Sequence, residues 1–142
     1  MKMIVFFLTL MSAQLAFADH YEFFVRNGAL LLSIDIPATS SRFAQPIRVE
    51  VRDSQTHELV ERENTWVEVS YYLPGTKFET TMNPMNGYLD RCQATVPGRV
   101  CGTMHFAQPG KWNIAVSFKE FHGDTESQVY AVYVDGYIPT PR

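Results

Sequence analysis

Four sulfur- and imidazole-bearing side chains are the residues of this chain best suited to binding a soft metal ion. Met82 and Met85 lie three residues apart in a segment rich in turn-forming residues, and Met104 directly precedes His105. Thioether sulfur and imidazole nitrogen are ligands that favour copper, and thioether sulfur favours Cu(I) in particular. These four residues form a candidate copper site. The alternative, which we favour from the residues alone, is that the methionines fill gaps in the core as flexible apolar side chains.

The two cysteines offer a second kind of chemistry. Cys92 and Cys101 flank the turn-forming pair Pro97-Gly98. In an oxidising compartment such a pair predicts a disulfide, which would close a loop of about ten residues and contribute roughly 2–3 kcal/mol. The alternative is a pair of soft metal ligands, although the chain has no Cys-x-x-Cys spacing of the kind that zinc sites use. Because the cysteines are close in sequence, the predicted bridge is local and does not join two sheets.

The sequence offers no convincing combination of residues for acid–base or nucleophilic catalysis. Asp53, His57 and Glu58 lie close together, but in a polar segment that reads as a turn, where charged side chains are usually solvated. The chain has no glycine-rich phosphate loop. We therefore predict that the protein is not an enzyme.

Aromatic residues make up 13% of the chain, enough to supply both a core and a binding surface. Side chains predicted for the core are Trp66, Tyr71, Trp112 and Phe118, since aromatic side chains bury large areas. Of the adjacent pair Tyr71-Tyr72, one member must face away from the core in a strand. The predicted interaction face consists of Tyr72, Tyr88 and Tyr130.

The first eighteen residues have the layout of a secretory signal peptide. Lys2 precedes an apolar run over residues 4–17, and Ala16-Phe17-Ala18 resembles a cleavage site. We expect the protein to begin at Asp19 after cleavage, to be periplasmic or secreted, and to have no membrane span after cleavage. With a net charge of −3 and no basic patch, nucleic acid is not an expected partner.

The remainder of the chain is divided into short alternating apolar segments by turn signals, without a convincing helix. This pattern predicts an all-β fold, an immunoglobulin-like antiparallel β-sandwich of about seven to eight strands over residues 19–137, followed by a flexible tail over 138–142. A small barrel is the alternative. Nine segments are candidates for these seven to eight strands, of which 59–60 is a brief edge strand and 77–82 the weaker candidate. They are 21–26, 30–36, 47–52, 59–60, 66–73, 77–82, 101–106, 112–118 and 128–134.

Several of these segments resemble one known family. They are Pro46-Ile47-Arg48-Val49-Glu50-Val51-Arg52-Asp53, the strand that begins Trp66-Val67-Glu68-Val69, the Met82-x-x-Met85-x-Gly87 stretch, and His105-Phe106-Ala107-Gln108-Pro109-Gly110-Lys111-Trp112 with its following strand. Over about residues 28–120 the chain is similar to the YtkA-like/FixH-like group of small extracytoplasmic immunoglobulin-like domains. The resemblance implies an extracytoplasmic sandwich, in a group with links to copper handling and cytochrome oxidase assembly.

Together these features predict an exported, non-catalytic β-sandwich module, an accessory or interaction protein with a protein partner in the cell envelope. A periplasmic copper-binding protein that uses Met82, Met85, His105 and Met104 is the alternative. No cofactor other than copper is indicated.

Overall fold

Nine strands, arranged in two antiparallel sheets, make up the fold of the described part of this chain. The computed structural model describes residues 19–36, 42–92 and 96–136, and there is no helix among them. The strands are β1 (Asp19–Val25), β2 (Leu30–Ile36), β3 (Gln45–Asp53), β4 (Thr65–Tyr72), β5 (Glu79–Met82), β6 (Leu89–Arg91), β7 (Arg99–Met104), β8 (Gly110–Glu120) and β9 (Glu126–Val134).

The first sheet has the strand order β1-β2-β3-β7-β6, and the second has the order β5-β4-β8-β9. Two separate sheets packed on one core confirm the predicted all-β sandwich and exclude the barrel alternative. Strand β6 was not predicted, and the predicted strand at 59–60 is reduced to a single bridge between Arg52 and Leu59.

The core lies between the sheets and follows the alternation of each strand. In β8 the side chains of Trp112, Ile114, Val116 and Phe118 are at most 2% exposed, because successive side chains of a strand point to opposite faces. Tyr71 is also buried, so three of the four predicted core aromatics are confirmed. Trp66 is half-buried and lies on the opposite face of β4 from the buried Val67.

Two local features of the chain are the turn between β1 and β2 and the disulfide, of which the disulfide confirms the prediction from the sequence. The turn between β1 and β2 covers Arg26 to Ala29, and Arg26, Asn27 and Gly28 all have positive φ angles, of 55°, 55° and 86°. Cys92 and Cys101 form a disulfide with their Cα atoms 5.1 Å apart. Cys101 belongs to β7 and Cys92 directly follows β6 of the same sheet, so the bridge is local, as predicted.

Among the described residues, no helix is long and apolar enough to cross a membrane. The predicted signal peptide and the predicted tail over 138–142 lie outside the described residues. Both remain predictions from the sequence.

Candidate functional site

The four residues of the predicted copper site divide into two buried and two exposed side chains. Met82 ends β5 and is 1% exposed, and Met104 ends β7 and is fully buried. The Cε atom of Met82 lies 3.2 Å from the position that a Cβ atom on Gly102 would occupy, so Met82 packs across the core onto the other sheet. Met85, in contrast, is 72% exposed. Two of the three sulfurs are therefore core atoms, and the third lies on the surface.

His105 lies just after β7 and is exposed. Its Nδ1 accepts a hydrogen bond from the backbone N–H of Ala44 at 3.3 Å, and its own backbone N–H donates to the hydroxyl of Tyr71 at 3.3 Å. In the described part of the chain, no group of three or more His, Cys, Asp or Glu residues is placed to hold a metal ion. Joint coordination by the four predicted ligands would require the buried methionines to leave the core.

The three tyrosines of the predicted interaction face lie in three different places. Tyr130 points to the inner side of β9 and stacks on Tyr21 of β1, with ring centroids 4.3 Å apart. Burial raises the pKa of both of these phenols. Tyr88 is 64% exposed and directly precedes β6 at the far edge of the first sheet. Tyr72 is the one that lies on the outer face of the second sheet.

The middle of the outer face of the second sheet is a continuous patch without charged side chains, which we call the neutral face. In this patch the outward side chains of β4, β8 and β9 are uncharged, and cross-strand pairing puts them in adjacent rows. Its members are Ser70, Tyr72, Asn113, Ala115, Ser117, Ser127, Val129, Ala131 and Tyr133.

Hydrogen bonds between neighbouring strands hold the polar part of the neutral face. The hydroxyls of Ser117 and Ser127 are 2.8 Å apart, and that of Ser70 lies 2.9 Å from the hydroxyl of Thr81. Charge borders the neutral face at both ends. At one end Lys119 and Glu68 form an ion pair at 2.6 Å, and at the other Lys111 is paired in register with Tyr133 and Glu79 with Tyr72. A partner confined to the neutral face can therefore make contact without stripping water from these ions.

The outer face of the first sheet has the opposite character, since it is covered by ion pairs. Asp35 is only 8% exposed, and its carboxylate accepts bonds from His20 of β1 at 2.6 Å and from Arg48 of β3 at 2.9 and 3.2 Å. Burial acts to raise the pKa of Asp35, but the hydrogen bonds from His20 and Arg48 outweigh it and hold the pKa below its ordinary value. The same hydrogen bond to Asp35 raises the pKa of His20.

A second buried carboxylate continues this pattern along β3. Glu50 is 6% exposed and lies 2.6 Å from the guanidinium of Arg99 and 3.1 Å from that of Arg52. Burial acts to raise the pKa of Glu50, and the bonds from Arg99 and Arg52 more than reverse the effect, so the pKa is lowered. These charges are satisfied within the sheet, which suits a structural role.

A small cavity opens between the sheets at the flank of β4. Its volume is about 100 Å³, and its apolar wall includes Val51, Val67, Val100 and Phe118. Trp66 also lines it, and the indole Nε1–H is buried without a hydrogen-bond partner among the described residues. The cavity thus combines an apolar wall and one unsatisfied indole donor with the charged residues Glu61, Arg62, Arg91 and Arg99, which also line it.

Sequence reasoning missed both the ion-paired face and the neutral face. The signal for the first was present, since Asp35, Arg48 and Glu50 occupy the non-core positions of adjacent predicted strands. The signal for the second was the run of serine and alanine at alternate positions of β8 and β9. Neither face could be predicted from these signals without knowing which strands are neighbours in each sheet.

In comparisons with known proteins, no family model matches this chain, and no curated protein matches it. The resemblance to the YtkA-like/FixH-like group therefore stays an expectation from the sequence.

Proposed function

We propose that this chain is an exported, non-catalytic binding module that holds a protein partner in the cell envelope through the neutral face and its border strand β9. The observation that carries the proposal is the neutral face itself, nine neighbouring surface positions without a charged side chain. Export rests on the signal-peptide pattern of residues 1–18.

Physical chemistry favours the neutral face over the rest of the described surface as a contact area. The centres of protein interfaces are depleted in charged residues, because each charge must lose its water on binding. Tyr72 and Tyr133 add aromatic area of the kind that contributes most to binding. Binding through the outer face of the first sheet would instead cover charged groups, such as the partly exposed Arg48 of the Arg48–Asp35 ion pair.

A copper-handling role, together with membership of the YtkA-like/FixH-like group, is the alternative that the sequence suggests. It would require Met82 and Met104, which are 1% and 0% exposed, to reach a shared ion with the exposed Met85. The neutral face needs no such rearrangement, and for this reason we put binding of a protein first.

Site-specific photo-crosslinking in the producing cells tests the proposal. A photoreactive amino acid replaces Val129 on β9 or, as a matched control, Glu22 on the edge strand β1 of the other sheet. We expect a discrete crosslinked species from position 129 and none from position 22, because only the former belongs to the neutral face. Equal crosslinking at both positions, or none at position 129, would refute the proposal.

A further inference from the structure

Among the described strands, four form the edges of the two sheets, and three of these are protected against pairing with another chain. Strand β1 carries the acidic residues Asp19 and Glu22, strand β5 has only four residues and begins with Glu79, and strand β6 has only three. Short length and charged side chains are the usual means by which proteins prevent edge-to-edge association.

The fourth edge, β9, lacks these protections beyond its first residue, Glu126. It is nine residues long, and from Ser127 to Val134 it contains no charged residue and no proline. Val129 and Tyr133 are 51% and 41% exposed. Its one acid, Glu126, is held by Arg26 at 2.6 Å. A long, uncharged edge rich in β-branched and aromatic residues is a template for adding another strand.

We propose that β9 pairs antiparallel with β9 of a second copy of this chain, so that two four-stranded sheets join into one of eight strands. This inference rests on the proposed function and names the partner. The two-fold axis passes beside Ala131, which faces its own counterpart. Val129 then lies opposite Tyr133 on the outer side, and Tyr130 lies opposite Val132 on the inner side.

The sequence of β9 is self-complementary in this register. In an interface with two-fold symmetry, residue i of one copy contacts residue j of the other, and j contacts i, so a charge at the axis would face the same charge of the second copy. From residue 128 to residue 134 every pair is uncharged, and each aromatic ring faces a β-branched side chain, a favourable cross-strand combination. The small side chain of Ala131 lets the strands approach at the axis.

The neutral face also continues across such an interface. Asn113 of β8 is the direct cross-strand neighbour of Ala131, and the outer side of β9 belongs to the neutral face. Joining two copies would therefore double the uncharged surface in one plane. The Tyr21–Tyr130 stack holds β9 against the other sheet, so that the edge is presented as a fixed strand.

Two lysine substitutions separate edge pairing from other forms of association. Ala131→Lys places a charge on the edge, beside the proposed axis. Asn113→Lys places the same charge on the same face, one strand further in. Protein made from the full chain is purified from the producing cells, and its mass in solution is measured by light scattering and sedimentation equilibrium, with circular dichroism to confirm that each variant is folded.

We expect the unaltered protein and Asn113→Lys to form dimers with similar Kd values, and Ala131→Lys to dimerise at least about tenfold more weakly because like charges then face each other across the axis. The inference is overturned if the unaltered protein is folded but monomeric at every concentration measured. It is also overturned if both variants weaken dimerisation equally, because that result would indicate that two copies stack through the neutral face. If position 129 crosslinks to a different protein and the purified chain is monomeric, the result supports the proposed function and contradicts pairing of β9 with a second copy.

Discussion

Replacing Asp35 with asparagine removes the buried carboxylate that joins three consecutive strands of the first sheet. The side chain lies in register between His20 on β1 and Arg48 on β3. An amide in this position keeps one acceptor oxygen but turns an N–H₂ group towards donors. The substitution therefore breaks charge-assisted bonds and leaves partly buried donors poorly satisfied.

The size of the effect follows from the exposure of the partners. The two bonds from Arg48 reach a carboxylate whose side chain is 11% exposed, and a charged hydrogen bond in such a setting contributes about 1.5–3 kcal/mol. His20 is 52% exposed, so its ion pair adds at most about 1 kcal/mol. We expect Asp35→Asn to lower the free energy of unfolding by about 2–3 kcal/mol at pH 6.

Urea denaturation followed by tryptophan fluorescence provides the assay. Glu61→Gln is the matched control, because Glu61 pairs with Arg91 at 2.8 Å while both side chains are about half exposed. That substitution should cost less than about 1 kcal/mol. The argument is that the Asp35 carboxylate contributes more to stability than Glu61 because it is buried. Similar losses of unfolding free energy in the two variants, or a loss below about 0.5 kcal/mol for Asp35→Asn, would refute it.

The same residues determine how stability depends on pH. The raised pKa of His20 gives stability that is fully present below pH 6.5 and is lost as the pH rises through the folded-state pKa. The lowered pKa values of Asp35 and Glu50 give stability that is present above the ordinary values of 3.8 and 4.5 and is lost on acidification. Stability should be greatest between pH 4.5 and 6.5. In Asp35→Asn, NMR titration should show a lower pKa for His20.

Further substitutions test packing, backbone conformation and the disulfide. Gly98→Ala should destabilise by about 1–3 kcal/mol more than Gly87→Ala in urea denaturation. Both glycines have φ near +80°, but only at Gly98 would an added Cβ come within 2.6 Å of a backbone carbonyl oxygen, and equal losses would contradict this reasoning. Met82→Ala should cost about 2–5 kcal/mol because Met82 is buried. Met85→Ala should stay within about 0.5 kcal/mol because Met85 is exposed, and a reversed order in thermal unfolding would count against the placement of both. Reducing the Cys92–Cys101 bridge should cost about 2–3 kcal/mol, measured with and without reductant.

The fold could be predicted largely because each strand carries its own signal. In β8 the alternation of Trp112, Ile114, Val116 and Phe118 with polar or small residues is readable without any knowledge of the neighbouring strands. The Asn27-Gly28 turn and the Cys92–Cys101 bridge are equally local. Strand β6 could not be read in this way, because Leu89 is its one buried residue and pairing with β7 defines the strand.

The candidate site was harder to predict because it depends on which strands are neighbours. Asp35 reads as a solvent-facing residue of an alternating strand, yet it is buried because β1 and β3 flank β2 and supply its partners. Tyr130 reads as a surface residue, yet it stacks on Tyr21 from the other sheet. Met85 and Met82 are close in sequence, but the turn after β5 sends one outward while the other stays in the core.

The most direct measurement is amide hydrogen exchange of β9 at low and high protein concentration, with β1 as the internal control. Pairing of β9 with a second copy predicts that amides between Ser127 and Val134 exchange more slowly as concentration rises, while those of β1 do not change. Exchange in β9 that is independent of concentration across the range in which a dimer would form would contradict the account.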